Sequence, residues 1–247
     1  VLSFAYDSTS YPFIAYCFTS KPGFSKVGSY TGNGSTSGPM VQTGFEPAFL
    51  IIKRTDSTSN WIIYDNKRNP SNPIDLELYA DLSNAEGSPY TAYNFYSNGF
   101  QVISNNAAHN ASGGSYIYLA FAADGSTATP SLANSFATEI YTGNGGTQAI
   151  TTGFKPDFTW IKARNTSAYY NTLFDSIRGP LNRIYSNTNN AQSTTAATLT
   201  SFDGNGFTLG SQVGQNANST TYVSWNWKAG GTPSINTDGA LTSVVSA

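Results

Sequence analysis

Tyr30-Thr-Gly-Asn-Gly34 recurs letter for letter as Tyr141-Thr-Gly-Asn-Gly145. The likeness then continues downstream in register. Thr43-Gly-Phe-Glu-Pro-Ala-Phe49 answers Thr152-Gly-Phe-Lys-Pro-Asp-Phe158, and Lys53 answers Lys162. Tyr64-Asp65 with Arg68 and Pro70 answers Phe174-Asp175 with Arg178 and Pro180, and Asn98-Gly-Phe100 answers Asn205-Gly-Phe207. Each unit closes on a strand-like run, Tyr116–Phe121 in the first and Tyr222–Trp227 in the second. Matches in one unbroken order mark a tandem repeat, and the period of a repeat sets the size of the structural unit.

The punctuation inside a unit is that of antiparallel β structure. Gly32-Asn33-Gly34 and Gly143-Asn144-Gly145 read as tight turns, and Asn98-Gly99 and Asn205-Gly206 read as hairpin signals. Pro47 and Pro156 suit a strand's first residue or an edge. Phe49–Lys53 and Trp61–Tyr64 are apolar runs without alternation, as central strands covered on both faces require. The stretches 75–83 and 181–187 are short and broken by Asn, and they read as loops or single turns. The fold class is therefore all-β, two tandem antiparallel β-sandwich repeats of jelly-roll or lectin-like type.

A third copy of the closing strand is expected at Phe13–Phe18. Alternation places Ile14, Ile117 and Val223, then Tyr16, Leu119 and Trp225, then Phe18, Phe121 and Trp227 on one face, read as core. The chain then divides into a closing strand of an upstream repeat with a linker (1–29), repeat 1 (30–124), a linker (125–140), repeat 2 (141–230) and a linker toward a further repeat (231–247). It reads as a window on a longer array, with a permuted complete domain as the alternative.

Composition narrows the function. Among 247 residues, Lys+Arg number 12 and Asp+Glu 14, so a net charge of −2 offers no footprint for nucleic acid. No apolar run approaches the roughly 20 residues of a membrane span. Asn, Ser and Thr form about a third of the chain and aromatics 14%, which favours strands and turns around an aromatic core and excludes disorder. Cys17 is the single cysteine, so no internal disulfide forms.

Gly-Phe-Ser-Lys-Val-Gly-Ser-Tyr-Thr-Gly-Asn-Gly (23–34), residues 43–55, Ser-Asn-Gly-Phe (97–100) and Tyr-Val-Ser-Trp-Asn-Trp-Lys-Ala-Gly (222–230) resemble a repeat domain of bacteriophage tail-fibre and other virion-appendage proteins. That family is similar to concanavalin-like lectin sandwiches and supplies no catalytic motif. The resemblance implies a non-enzymatic segment of a virion-surface, extracellular appendage that extends the fibre and contacts host-surface glycans or neighbouring virion proteins. Its implied partners are further copies of itself, as in a trimer, other virion proteins and host glycans, with neither nucleic acid nor membrane. A carbohydrate-binding repeat array of a secreted or surface-filament protein is the alternative.

The candidate site residues follow from what repeats and what diverges. Asp65 with Arg68 and Asp175 with Arg178 repeat, and a carboxylate three residues before a guanidinium reads as a structural clamp across a turn. Glycoside hydrolysis needs a second carboxyl about 5–10 Å away, and Asp75, Glu77 and Asp81 have no counterparts in the second unit. Lys53 and Lys162 read as strand-end solvation or edge protection. His109 is the only histidine, so no His-based metal site or triad can be assembled, and a loop position is expected for it. No metal or other cofactor is implied, Asp56 in a Ser/Thr/Asn loop being a thin case for calcium. Ligand contacts belong on the divergent segments 73–96 and 168–170, where Tyr79, Tyr90, Tyr93, Tyr96, Tyr169 and Tyr170 offer rings that stack on sugar C–H faces.

Overall fold

A computed structural model of the chain describes residues 14–122, 135–228, 234–236 and 243–245. Residues 19–228 form one compact unit holding both repeats. The remainder, residues 1–18 and 229–247, groups separately. In it, the described strands Ser234–Asn236 and Ser243–Val245 pair antiparallel.

Each repeat is a sandwich of one large and one small antiparallel sheet. In the first, β1 (Ser25–Thr31), β8 (Ser115–Ala122), β3 (Pro47–Arg54), β4 (Ile62–Asp65) and β5 (Leu78–Tyr79) form the large sheet in that order. Strands β2 (Met40–Gln42), β7 (Gly99–Val102) and β6 (Tyr93–Tyr96) form the small one. The second repeat copies the plan. Its large sheet runs β14 (Ser193–Thr194), β13 (Asn182–Tyr185), β12 (Thr172–Asp175), β11 (Phe158–Ala163), β17 (Thr221–Trp227), β9 (Phe136–Thr142), and its small sheet runs β10 (Gln148–Thr151), β16 (Gly206–Leu209), β15 (Leu199–Asp203).

The hairpin glycines explain why these positions repeat. Gly99 sits opposite Gln42 in the small sheet, with φ 155°. A Cβ there would lie 2.0 Å from the Val41 carbonyl oxygen, and Gly206 would place one 1.9 Å from that of Ile150. Only glycine lets the adjoining strand come this close.

Three apolar clusters hold the unit together. Tyr30, Leu50, Ile52, Tyr64, Phe100 and Tyr116 fill the first sandwich, and Ile150, Ile161, Phe174, Phe207 and Tyr222 fill the second. The third cluster belongs to both repeats. Phe49, Ile51, Ile63, Leu78 and Phe121 from the outer face of the first large sheet meet Phe136, Val223, Trp225 and Trp227 from the second. The Phe49 ring has four aromatic neighbours here, Phe121, Phe136, Trp225 and Trp227, at centroid distances from 5.6 to 6.1 Å. The two sandwiches thus stand back to back through their large sheets.

This interface corrects the face assignment read from alternation. Tyr116, Tyr118 and Ala120 line the first sandwich core, Ile117 is exposed, and Leu119 and Phe121 turn to the other repeat. In β17 the inner face carries Tyr222, Ser224 and Asn226 while Val223, Trp225 and Trp227 serve the shared core, so the more apolar face is the outer one. The continuous apolar runs of β3 and β4 are covered on both faces, as read.

Two strands begin inside stretches read as linkers, β1 at Ser25 and β9 at Phe136, the latter a member of the shared core. Strands β5 and β13 form where loops were read, each paired to a central strand. Residues 14–18 carry no strand, and none of them enters a ladder as β8 and β17 do; Phe13 lies outside the described residues.

Candidate functional site

Two groupings of polar side chains bear on function, one at the seam between the repeats and one beside a pocket in repeat 1.

At the seam, Asp65 and Arg68 are fully buried, with Arg68 Nε 2.6 Å from Asp65 Oδ2. The Arg68 backbone N–H also donates to Asp65 Oδ1, and Trp225 of the second repeat donates its indole N–H to Oδ2 at 3.0 Å. Arg68 reaches Glu86 at 2.8 Å, and Glu86 accepts from Arg164 of repeat 2 at 2.7 and 3.0 Å. Burial would raise the Glu86 pKa, but the Arg164 and Arg68 guanidinium groups outweigh it and hold the carboxyl below its ordinary value. The Asp175–Arg178 pair repeats the turn clamp at 2.5 Å.

Lys162 is a residue that strand-end reasoning misplaced. It lies on the outer face of β11, is 1% exposed, and donates to the Leu82 carbonyl of repeat 1 and to Asn171 Oδ1, both at 2.8 Å. Asn171 Nδ2 donates in turn to the carbonyls of Tyr79, Ala80 and Leu82. Lys53 keeps a strand-end role, capping the carbonyls of Arg54 and Ser59.

The pocket lies at the edge of the first large sheet. An open cavity of about 440 Å³ is lined by Glu77 and Tyr79 on one side and by Asn84, Gly87, Ser88 and Pro89 on the other. A backbone bridge between Glu77 and Gly87 ties the loop to the strand edge. Behind Glu77, the Tyr64 hydroxyl lies 2.9 Å from Glu77 Oε2 and 2.8 Å from His109 Nε2, and the Tyr79 hydroxyl donates to Oε1. Burial pushes the Glu77 carboxyl up, while His109, 3.7 Å away, and the Tyr79 and Tyr64 hydroxyls bring it below its ordinary value. The result is a carboxylate acceptor held at the cavity floor.

His109 corrects its expected loop position. It sits on the single-turn helix α1 (Ala107–Asn110), fully buried, with the rings of Tyr64, Tyr90 and Tyr93 within 5.8–6.1 Å. Neighbouring Asn110 and its repeat-2 counterpart Asn216 hold the Gly-Asn-Gly loops, each bonding the Asn of its loop in both directions. That is the physical reason the Tyr-Thr-Gly-Asn-Gly string repeats.

The six candidate tyrosines separate. Tyr79 lines the cavity and Tyr90, 42% exposed, stands beside it against His109. Tyr93 is fully buried in the first core and has no surface for a ligand. Tyr96 is exposed on the small sheet, its hydroxyl accepting from Asn94. Tyr169 packs on the second core near Tyr222. Tyr170 is 48% exposed with its ring edge on Tyr185, 5.2 Å away. Sequence reasoning set Glu77 aside for want of a counterpart and passed over Tyr185, both in stretches that differ between the repeats, and it gave Tyr64 only as a repeat match. Among the described residues no three His, Cys, Asp or Glu side chains gather as metal ligands.

Comparison with known families finds one model, described as a domain of unknown function (DUF7483), matching twice, at residues 2–124 and 131–247. The chain belongs to that family and carries two tandem copies of its domain. No curated protein and no solved structure matches.

Proposed function

We propose that the chain is a non-enzymatic structural and adhesive segment of a bacteriophage appendage, a tail fibre or its like, displayed on the virion surface. In this reading the paired sandwiches extend the fibre as rigid blocks, and their divergent loops contact host-surface glycans or neighbouring virion proteins. The observation that carries it is the shared aromatic core between the repeats, which makes the tandem pair one stiff block rather than two tethered domains. Two features support the adhesive part. The scaffold residues Asp65, Arg68, Asn110 and their counterparts repeat, whereas the cavity-lining Glu77, Asn84, Gly87, Ser88 and Pro89 belong to a stretch that differs between the repeats. Aromatic rings beside a fixed carboxylate suit polyhydroxylated ligands, and many weak sites along a fibre accumulate avidity.

The test is binding of the labelled chain, monomeric and artificially trimerised, to a panel of bacterial cells and their purified surface polysaccharides. Binding to a subset of strains, strengthened by trimerisation and without release of reducing ends, is expected. Turnover of a polysaccharide would overturn the non-enzymatic reading. Absence of binding across the panel, together with cryo-EM of the virion showing segments 73–96 buried, would overturn the adhesive one.

A further inference from the structure

The two repeats differ in charge at one equivalent strand position. Tyr79 pairs with Ile62 and Tyr185 with Thr172, and Ile62 and Thr172 each stand two residues before the matched Tyr64 and Phe174. Tyr185 therefore answers Tyr79, and Arg183 answers Glu77. Residues 183 and 185 project to the same face of β13. Where repeat 1 holds a buried carboxylate beside a tyrosine, repeat 2 holds a guanidinium beside one.

Arg183 is also distinctive among the arginines. Arg54, Arg68, Arg164 and Arg178 each pair with a carboxylate, and Arg183 pairs with none among the described residues. Its guanidinium is positioned without being neutralised. Nε donates to Ser193 Oγ at 3.0 Å, Nη2 donates to Thr195 Oγ1 at 3.2 Å, and the group lies over the Tyr185 ring at 5.6 Å. Strand β14 supplies Ser193 through its pairing with β13. Tyr170, nearly half exposed, stands edge-on to Tyr185 and extends the aromatic surface outward. A guanidinium held flat by hydroxyls and an aromatic face keeps its remaining N–H groups for an incoming anion, in the planar fork that matches a carboxylate.

We propose that Arg183, Tyr185 and Tyr170 form a site in the second repeat that binds an acidic saccharide, its carboxylate on Arg183 and its ring face on the tyrosines. The proposal rests on the reading of the chain as a glycan-contacting segment and names the ligand class. Nucleic acid fits less well, because one unpaired arginine on a chain of net charge −2 lacks the row of cations that phosphate backbones require.

The test uses the full chain and three acidic probes, trigalacturonate, trimannuronate and 3′-sialyllactose, each against its neutral methyl ester, followed by amide NMR and calorimetry. At least one acid is expected to bind saturably, with shifts at residues 170, 183–185 and 193–195, and its ester at least tenfold more weakly. Arg183→Gln should lose at least tenfold in affinity, Arg183→Lys less, and added NaCl should weaken binding. Tyr170→Ala, at an exposed position that leaves the fold intact, should lose several-fold. Equal binding of acid and ester, indifference to Arg183→Gln in a folded variant, or preference for oligothymidylate would each overturn the site. If no acid binds while the chain still binds host cells or neutral glycans, this site falls and the adhesion reading stands. Loss of both removes both.

Discussion

Lys162→Met should flatten the pH dependence of stability around neutrality. Burial against repeat 1, aided by the Arg68 guanidinium and opposed by Asp81, drives the Lys162 amine down to about 7. In the unfolded chain the same amine holds its proton up to its ordinary pKa of 10.5. Between these values the unfolded state binds more protons, so stability rises with pH; it is lowest below pH 7, where the folded protein must bury the ammonium, and the penalty fades as pH climbs toward 10.5. Worked through the linkage relation, the gain from pH 6.5 to 8.5 is about 2 kcal/mol. For a domain of this size that corresponds to a rise of about 4–8 °C in melting temperature. The assay is urea or thermal unfolding at several pH values, with Lys162→Met as the control that removes the amine and leaves other groups titrating. The two amine hydrogen bonds, to Leu82 and Asn171, are lost, so the variant is displaced downward at pH 8.5, but its slope should vanish. A wild-type rise that persists undiminished in Lys162→Met refutes the reasoning.

Other perturbations test the remaining contacts. Glu86→Gln takes the shared carboxylate from Arg68 and Arg164 and should cost about 3–5 kcal/mol, as breaking a buried ion network does, read by chemical denaturation. Phe49→Ala removes the ring at the centre of the shared core and should cost about 3–5 kcal/mol, with a red shift of the Trp225 and Trp227 emission preceding global unfolding if the seam opens first. Tyr64→Phe strips the hydroxyl that bridges Glu77 and His109 and should cost about 1–3 kcal/mol, without affecting Phe174 chemical shifts in repeat 2.

Much of the scaffold was legible because it repeats. The Tyr-Thr-Gly-Asn-Gly strings, the Asn-Gly hairpins and the apolar runs at 49–53 and 61–64 gave two antiparallel sandwiches and their central strands. What alternation misjudged was which side of β8 and β17 faces inward. A period-2 pattern identifies an apolar face without saying what covers it, and Leu119, Phe121, Trp225 and Trp227 are covered by the other repeat. Lys162 and His109 were misplaced for a related reason. Their burial comes from partners distant in sequence, Leu82 for one and Tyr64 with Glu77 for the other, and no local pattern encodes that. Divergence between the units pointed to Tyr79, which lines the cavity, and it also gathered Tyr93, a core residue.

The back-to-back seam is the claim on which the rest depends, and differential scanning calorimetry of the intact chain tests it most directly. A continuous core between the repeats predicts a single transition whose calorimetric and van't Hoff enthalpies agree. Two resolved transitions, with Phe49→Ala moving only the one belonging to the first repeat, would contradict it.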